Sequence, residues 1–478
     1  MTIIKPVKEG LDILARGGHE AYLVGGCVRD LVLGKEPKDW DITTNTKPEG
    51  ILSLFTNAGY KAFYENAFGT VTALVDNLPI EITPYRLEGK YSDKRRPDEI
   101  RWAKSIEEDL ARRDFTINAM AMSKDKKLID RFGGQEDLKK KIVRTVGDPH
   151  ERFAEDALRL MRGLRISVEL GFSIEKRTLG GIKTHAALLK EIAKERVRDE
   201  FTRIILSPEP EKGIEVMRTT GLLSHVLPEL EEGMGMVQRG PHRHDVFTHN
   251  VLSLKWASQE SRDLVVRLAS LCHDIGKPRV RQEAEGKITF YDHPAVGALI
   301  TKNALERLHF PKKTIEEVSH LVYHHMFYYD VGKVTPSGVR RLLQRVGGKE
   351  VFEKLLALRR ADRRATPVPK THPYRLRHLQ YMLEKVASDP LSRFQLIVNG
   401  DEIKTALTIP EGKRIGLLIQ ALLTEVLKDP KKNTKEYLLK RARQLNKKSD
   451  KELSAYGTFI KEREKERDTM LKEKYFVK

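Results

Sequence analysis

Apolar positions recur along the chain at two periods, and the switches between them predict its elements. Ile3, Ile4, Val7, Leu11 and Leu14 fall at helical spacing and predict a helix over residues 2–18. Tyr22-Leu23-Val24 is a short apolar run that predicts a buried strand. Gly25-Gly26 breaks it, and Val28 to Leu33 returns to helical spacing before Gly34. At Asp39-Trp40-Asp41-Ile42 the period drops to two, so a strand there turns both carboxylates to one face. Pro48 opens another helix, and strands are predicted at Lys61–Tyr64, Thr70–Val75 and Ile80–Thr83. From about residue 146 the pattern is almost wholly helical. The expected fold class is α+β. A small mixed sheet backed by helices forms a head over 1–145, followed by a helical neck over 146–235, a helical body over 236–370 and a basic helical tail over 371–478. A chain of 478 residues is too long for one core, which agrees with several domains.

Composition narrows the class. With 40% hydrophobic and 32% charged residues the chain reads as soluble and globular. It contains no run of about 18 apolar residues, so no membrane span is predicted. Its first residues lack the long apolar segment of a signal peptide. Cys27 and Cys272 stand far apart in apolar stretches, which excludes a disulfide framework and makes a reducing cytoplasm the expected setting. The net charge of +19 changes the picture more. It favours a polyanionic partner, nucleic acid before an acidic membrane surface, although a general lysine excess for solubility satisfies it too.

Candidate chemistry gathers near the start. Gly25 and Gly26 lack a Cβ and let a phosphate chain approach the backbone, while the following helix start offers free N–H groups to anions. Arg29 adds a cation in that first turn. Asp39 and Asp41 beside such a cradle are what a magnesium nucleotide needs. Glu81, between Ile80 and Ile82, is either a third carboxylate facing the same metal or the exposed side of an edge strand. The basic, turn-rich segment 86–97 reads as a loop, either a lid over phosphates or an idle solvated one. Further on, Glu155-Asp-Ala-Leu-Arg-Leu-Met-Arg-Gly-Leu-Arg165 places Asp156, Arg159 and, less squarely, Arg162 on one helix face.

Taken together, Leu23-Val-Gly-Gly-Cys-Val-Arg-Asp-Leu-Val-Leu-Gly34 with Asp39-x-Asp41 resembles the signature of polymerase-β-like nucleotidyltransferases. The closer likeness is to class II tRNA nucleotidyltransferases and their bacterial poly(A) polymerase relatives. Glu108-Asp-Leu-Ala-Arg-Arg-Asp-Phe-Thr-Ile-Asn-Ala-Met-Ala121 resembles that family's second motif, and the Glu155–Arg165 string its nucleotide-selecting motif. The resemblance implies transfer of CMP and then AMP, from CTP and ATP, to a tRNA 3′ hydroxyl. Asp39 and Asp41 would hold Mg2+ with Glu81 as the third carboxylate. Arg29, Arg113, Arg162 and Arg165 would steady phosphates, and Asp156 and Arg159 would read the base. An ionised aspartate accepts from the exocyclic amine of cytosine or adenine, whereas uracil and guanine present a carbonyl there. Poly(A) synthesis and addition of A alone or CC alone are rival readings, and the retained 86–97 loop argues against CC alone.

A second constellation resembles the HD phosphohydrolase superfamily. It runs from Gly240-Pro-His-Arg-His-Asp-Val-Phe-Thr-His-Asn250 through Leu271-Cys-His-Asp-Ile-Gly-Lys-Pro278, Tyr291-Asp-His-Pro294 and His324-His325 to Ala361-Asp-Arg-Arg364. That resemblance makes His249, His273, Asp274 and Asp362 the metal-ligand candidates, with His293 and His324 for a second metal or a phosphate. Nitrogen and oxygen donors suit a divalent transition metal, or magnesium with less imidazole involvement. An HD phosphohydrolase with an inactive head is the alternative from another class. The lysine and arginine runs of the tail are expected either as a solvated surface or as a tRNA contact.

Overall fold

The computed structural model describes residues 2–65, 69–87, 101–238, 244–285, 287–366, 374–387 and 396–477. Most of the 86–97 loop and the opening Gly240-Pro-His-Arg of the HD string lie outside the described residues. The chain divides into two compact units, Met1–His325 with Ala357–Val368, and Met326–Leu356 with Pro369–Lys478. Segment 326–356, expected with the body, therefore clusters with the tail.

The first unit begins with α1 (Lys5–Arg16), β1 (Ala21–Val24), α2 (Gly26–Val32), β2 (Asp41–Thr44), α3 (Pro48–Asn57), β3 (Lys61–Tyr64), β4 (Val71–Val75) and β5 (Leu78–Pro84). A small ladder of β6 (Arg86–Leu87) and β7 (Arg101–Trp102) follows, then α4 (Ile106–Ala111), β8 (Ala121–Met122), β9 (Leu128–Ile129), α5 (Gly134–Lys140) and β10 (Ile142–Val143). Seven strands form one sheet in the order β3-β4-β5-β2-β1-β8-β9. It is mixed as expected: β2 and β5 run parallel, and every other neighbouring pair is antiparallel. Helix α1 starts at Lys5, later than the apolar pattern does, because Pro6 fits only the first turn. Ile3, Val7, Leu11 and Leu14 still bury against Ile42, Ile80 and Phe55 in one core that backs the sheet.

Strand β2 begins at Asp41, two residues later than the alternation suggests. Its register with β5 sets Asp41 opposite Glu81, and the ladder's last bond reaches only the Trp40 carbonyl, from Glu81 N–H at 3.1 Å. Asp39 therefore sits in the bend just before the strand, across the buried Trp40 from Asp41.

The neck comprises α6 (Pro149–Glu155), α7 (Leu158–Leu170), β11 (Ser173–Ile174), α8 (Lys176–His185), α9 (Lys194–Leu206), α10 (Pro210–Thr220), α11 (Leu223–Val226) and α12 (Pro228–Glu231). Head and neck meet where Gly163 of α7 faces the fully buried ring of Phe115. A Cβ at Gly163 would stand 2.8 Å from its Cζ. The ring has nowhere to swing, so Gly163→Ala should cost about 1–3 kcal/mol of overpacking against a helix-propensity gain of about 1. Thermal unfolding followed by far-UV circular dichroism should show a lower midpoint. A midpoint equal to the parent's would contradict this contact.

The HD segment runs through α13 (Val246–Glu260), α14 (Leu264–Cys272), α15 (Lys277–Val280), the hairpin β12 (Gln282–Ala284) and β13 (Lys287–Thr289), α16 (His293–Arg307) and α17 (Lys312–His324). After α18 (Pro336–Val346), helix α19 (Lys349–Ala365) supplies Asp362 to the first unit. The rest is α20 (Tyr374–Ala387), α21 (Gly400–Leu407), α22 (Lys413–Lys428), α23 (Lys435–Leu445) and α24 (Asp450–Tyr475). The tail helices are not polar all round. Leu438, Ala442, Leu445 and Leu453 are fully buried with Leu418 and Leu422, and Glu384 of α20 takes Lys474 of α24 at 2.9 Å. Among the described residues no helix is long and apolar enough to cross a membrane.

Candidate functional sites

The head carries an open cleft of about 480 Å³. Its floor is the pair set by register: Asp41 on β2 and Glu81 on β5. Burial pushes the Asp41 carboxyl up to about 6, and the charges of Glu81 and Asp39 push the same way against Arg113. Glu81 is raised too, by burial and by the carboxylates of Glu65 and Asp39. Three carboxylates repelling one another at one place, all oxygen donors, suit a hard divalent cation. Gly25 sits directly above. Its φ of +74° is open to glycine, and a Cβ there would come within 3.1 Å of Arg113 Nη1 and 3.6 Å of Asp41 Oδ2.

The opposite wall is cationic. Arg112 and Arg113 both reach the cleft from the end of α4, each tied to Asp109 at 2.7 and 3.1 Å. Burial raises Asp109, but the two guanidiniums hold its carboxyl below the usual range, so it stays ionised and holds them in place. Beneath them Arg162 pairs with Asp114 at 2.8 Å. Asp114 is likewise kept low by Arg162 and Arg159 against its burial. Arg159 is itself buried and donates to Glu155 at 2.7 Å and to the Arg112 carbonyl at 3.2 Å. Asp156 stands beside it in the same lining.

A second cluster lies among the HD helices. His249 Nε2 is 3.2 Å from both His273 Nε2 and Asp362 Oδ1, and 3.6 Å from Asp274 Oδ2. The other oxygen of Asp274, Oδ1, faces His293 Nε2 at 3.4 Å and His325 Nε2 at 3.7 Å. Asp274 is thus shared by two groups able to hold a metal, His249-His273-Asp274 and Asp274-His293-His325. The tautomers are set from behind: Nδ1 of His273, His293 and His325 lies 2.9, 2.7 and 2.6 Å from the carbonyls of Ser270, Phe290 and Val322. Each Nδ1–H donates there and turns an Nε2 lone pair inward. Burial and the neighbouring His273 push His325 down to about 3, so this imidazole is neutral and free to ligate. His273 is drawn up by Asp274 and Asp362 although burial lowers it. The donor set fits divalent transition metals. Lys277 Nζ, buried, reaches Asp274 Oδ2 at 2.6 Å and Gln238 Oε1 at 2.7 Å.

Residues 21–144 match the poly A polymerase head domain family, residues 171–234 the family described as a probable RNA and SrmB-binding site of polymerase A, and residues 246–366 the HD domain. The A-adding tRNA nucleotidyltransferase of Deinococcus radiodurans is 33% identical over 425 residues, 84% of this chain and 90% of that protein. The chain belongs to the tRNA nucleotidyltransferase family. CCA-adding enzymes of Bacillus cytotoxicus and Limosilactobacillus reuteri are 44% and 43% identical over 221 and 230 residues, 46% and 48% of this chain. These matches span about half of those relatives, 55% and 56% of their lengths. Among solved structures, the Bacillus stearothermophilus CCA-adding enzyme in complex with CTP aligns with a TM-score of 0.61 at 27% identity. The alignment covers 93% of this chain and 100% of that one. The Thermotoga maritima CCA-adding enzyme complexed with tRNA shares the fold, with a TM-score of 0.52 at 21% identity over 91% of this chain and 93% of that one.

In this chain the cleft brings together Gly25, Gly26, Asp41, Glu81, Arg113, Asp156, Arg159 and Arg162, all expected from sequence. Asp39 stands close enough for its charge to act on Asp41. Two expected arginines do not line it. Arg29 is turned into Asp30 at 2.8 Å and Asn118 at 3.0 Å, and Arg165 into Glu200 at 3.2 Å. Side chains three apart on a helix drift by about 60° per step, so Arg165 is about 120° from Arg159 around α7. The expected single helix through Glu155–Arg165 is also broken at Asp156. This residue has extended backbone between α6 and α7, and its Oδ1 accepts from Leu158 N–H at 3.0 Å, capping α7. In the HD cluster His325 takes the place expected for His324. One step along a helix turns a side chain by about 100°, which leaves the His324 ring against His320, tilted, and Tyr323, edge-on. The sequence reading missed Arg86, Thr70, Arg112 and Asn118 in the cleft, and Lys277 and Gln238 beside Asp274. The Arg112-Arg113 doublet and the Lys three residues after Asp274 were the available signals.

Proposed function

We propose that this protein adds CCA to the 3′ end of tRNA from CTP and ATP without a nucleic-acid template, releasing pyrophosphate. The observation carrying the reading is the single cleft in which the Asp41–Glu81 pair, the Arg112–Arg113 wall and the Asp156–Arg159 pair converge from four separate stretches. Asp39, Asp41 and Glu81 are the residues to hold magnesium, which when bound lowers the pKa of the attacking hydroxyl and neutralises the triphosphate. Gly25 and Gly26 admit the phosphates, and Arg112, Arg113 and Arg162 steady them. Asp156 accepts from an exocyclic amine while Arg159 donates to ring acceptors, which suits cytosine and adenine. The identity of 44% to a CCA-adding enzyme supports CCA over the A-only addition named for the full-length relative. The basic tail is assigned to tRNA phosphates, on its charge alone.

The selecting pair can be tested directly. Asp156 and Arg159 exchanged together for residues of opposite donor and acceptor pattern should relax selection toward UTP and GTP by about 10²-fold, with the carboxylate floor intact and some turnover left. Incorporation of each single nucleotide onto tRNA by variant and parent measures it. An unchanged preference for CTP and ATP would show that this pair is not the selector.

The HD cluster supports a second activity, metal-dependent hydrolysis of small phosphoesters or 2′,3′-cyclic phosphates. The specific observation is the sharing of Asp274 between two buried donor groups. A divalent metal bound there would activate water and polarise the phosphoryl oxygen. The protein's part is to hold four imidazoles with their Nε2 atoms inward and two carboxylates ionised. Lys277 holds Asp274 from behind.

A further inference from the structure

The row of residues that holds the carboxylate floor continues past it. Register sets Asp41 of β2 opposite Glu81 of β5, Glu81 opposite Thr72 of β4, and Thr72 opposite Phe63 of β3. Residues paired across strands point to one face of a sheet, so all four face the cleft side. Their neighbours agree: Val71, Ala73, Ile80 and Ile82 bury in the core behind the sheet, and Ala62 packs against it. Phe63 ends the row on the edge strand with its ring 41% exposed. Two strand spacings put it about 10 Å from Glu81. We propose that Phe63 is the stacking platform for the 3′-terminal base of tRNA and so fixes where the attacking hydroxyl lies. This rests on the reading of the cleft as the site of nucleotide addition to tRNA.

The direction of the row matches the path an acceptor strand must take. In-line phosphoryl transfer puts the attacking oxygen and the leaving pyrophosphate on opposite sides of the phosphorus. The phosphate cradle, Gly25 and Gly26, follows the end of β1, with Arg113 close to it. The order β3-β4-β5-β2-β1 therefore leaves the β5 side of Asp41 for the attacking hydroxyl, and β4 and β3 for the nucleotide that carries it. Glu65 refines the placement. Its Oε2 accepts from Thr72 Oγ1 at 2.8 Å, and its charge acts on Glu81. A carboxylate there repels a phosphate but accepts from a hydroxyl, so the ribose belongs over β4 and the base beyond it, at Phe63. Lys61, exposed and two residues back on the same face, offers a cation to the preceding phosphate. An exposed aromatic ring beside a cation is a general way to hold a single-stranded RNA end, because every base has a face to stack. It also suits a terminal base that differs from one tRNA to another.

The test is steady-state addition of CMP to tRNA ending at the discriminator base, and to the same tRNA carrying an abasic ribose at that position. The proteins are the parent, Phe63→Leu and Phe63→Trp, each with its thermal midpoint. On intact tRNA, Phe63→Leu should lower kcat/KM for tRNA about tenfold while the KM for CTP stays within about twofold, and Phe63→Trp should stay within about threefold of the parent. On the abasic tRNA, Phe63→Leu and the parent should extend equally, because the ring has lost its partner. If the parent extends intact tRNA and Phe63→Leu matches it, the platform is wrong and the nucleotidyltransferase reading stands. An equal loss on intact and abasic tRNA would make the ring structural only and would also overturn the proposal. A parent that adds no CMP to intact tRNA would overturn the reading on which the platform rests.

Discussion

Replacing Asp41 by alanine should abolish nucleotide addition, by about 10³-fold or more in kcat, while tRNA affinity stays within about twofold. Asp41 is the most enclosed of the three carboxylates and stands in register with Glu81, directly under Gly25. Losing a ligand of the ion that neutralises developing charge removes several kcal/mol of transition-state stabilisation, and about 4 kcal/mol is a factor of 10³. Nothing in this floor suggests a role in gripping RNA, so filter binding should show little change. Stability should move the other way. The carboxyl rises from 3.8 to about 6 on folding, through burial and the charges of Glu81 and Asp39. A carboxyl with a raised folded pKa is less costly when protonated, so folding loses stability as pH climbs from about 4 to about 6. In chelator at pH 7.5 the Asp41→Ala protein should therefore unfold at a higher temperature than the parent, and the gap should close below pH 4. Extension at the parental rate in magnesium would refute the assignment of the floor.

The second large effect is expected at Asp274. One oxygen faces His249 and His273 and the other His293 and His325, so a single substitution disarms both donor groups. Asp274→Ala also strands the buried Lys277 ammonium, which can cost about 3–5 kcal/mol. His325→Ala removes one ligand without that penalty and serves as the second variant. Bound divalent metal per chain, measured after loading with manganese, nickel or cobalt, should fall in both, and phosphoester hydrolysis should be lost. His324→Ala should keep metal and activity, since that ring lies against His320 and Tyr323 outside the cluster. Nucleotide addition should survive all three. Unchanged metal content in His325→Ala would refute the second donor group.

The head was readable from the chain because its chemistry rides on short-range signals. The Gly-Gly break after an apolar run marks the turn from β1 into α2, and the alternation around Asp41 places its strand, although the strand starts at Asp41 and leaves Asp39 in the bend before it. What was not readable depended on partners distant in sequence. Arg29 and Arg165 look as available as Arg113 along the chain, and only the fold reveals Asp30 with Asn118 for one and Glu200 for the other. The break at Asp156 is hidden because a capping aspartate and a helical aspartate fit the same spacing. His324 and His325 differ by one helical step, and the apolar face of α17, set by Ile315, Val318, Leu321 and Val322, points to His325, a signal that the choice of His324 overlooked. The boundary at residue 326 is not marked by the apolar pattern, since the helices on both sides of it are amphipathic.

The central claim is CCA addition, and it stands or falls on product sequence. The pure protein is incubated in magnesium with tRNA ending at the discriminator base, with CTP alone, ATP alone and both together, and the products are sized and sequenced. The account predicts two cytidines from CTP alone, no efficient extension from ATP alone, and the single product CCA from both. Addition of A only, as the name of the Deinococcus radiodurans relative describes, or a long A tract, would contradict it.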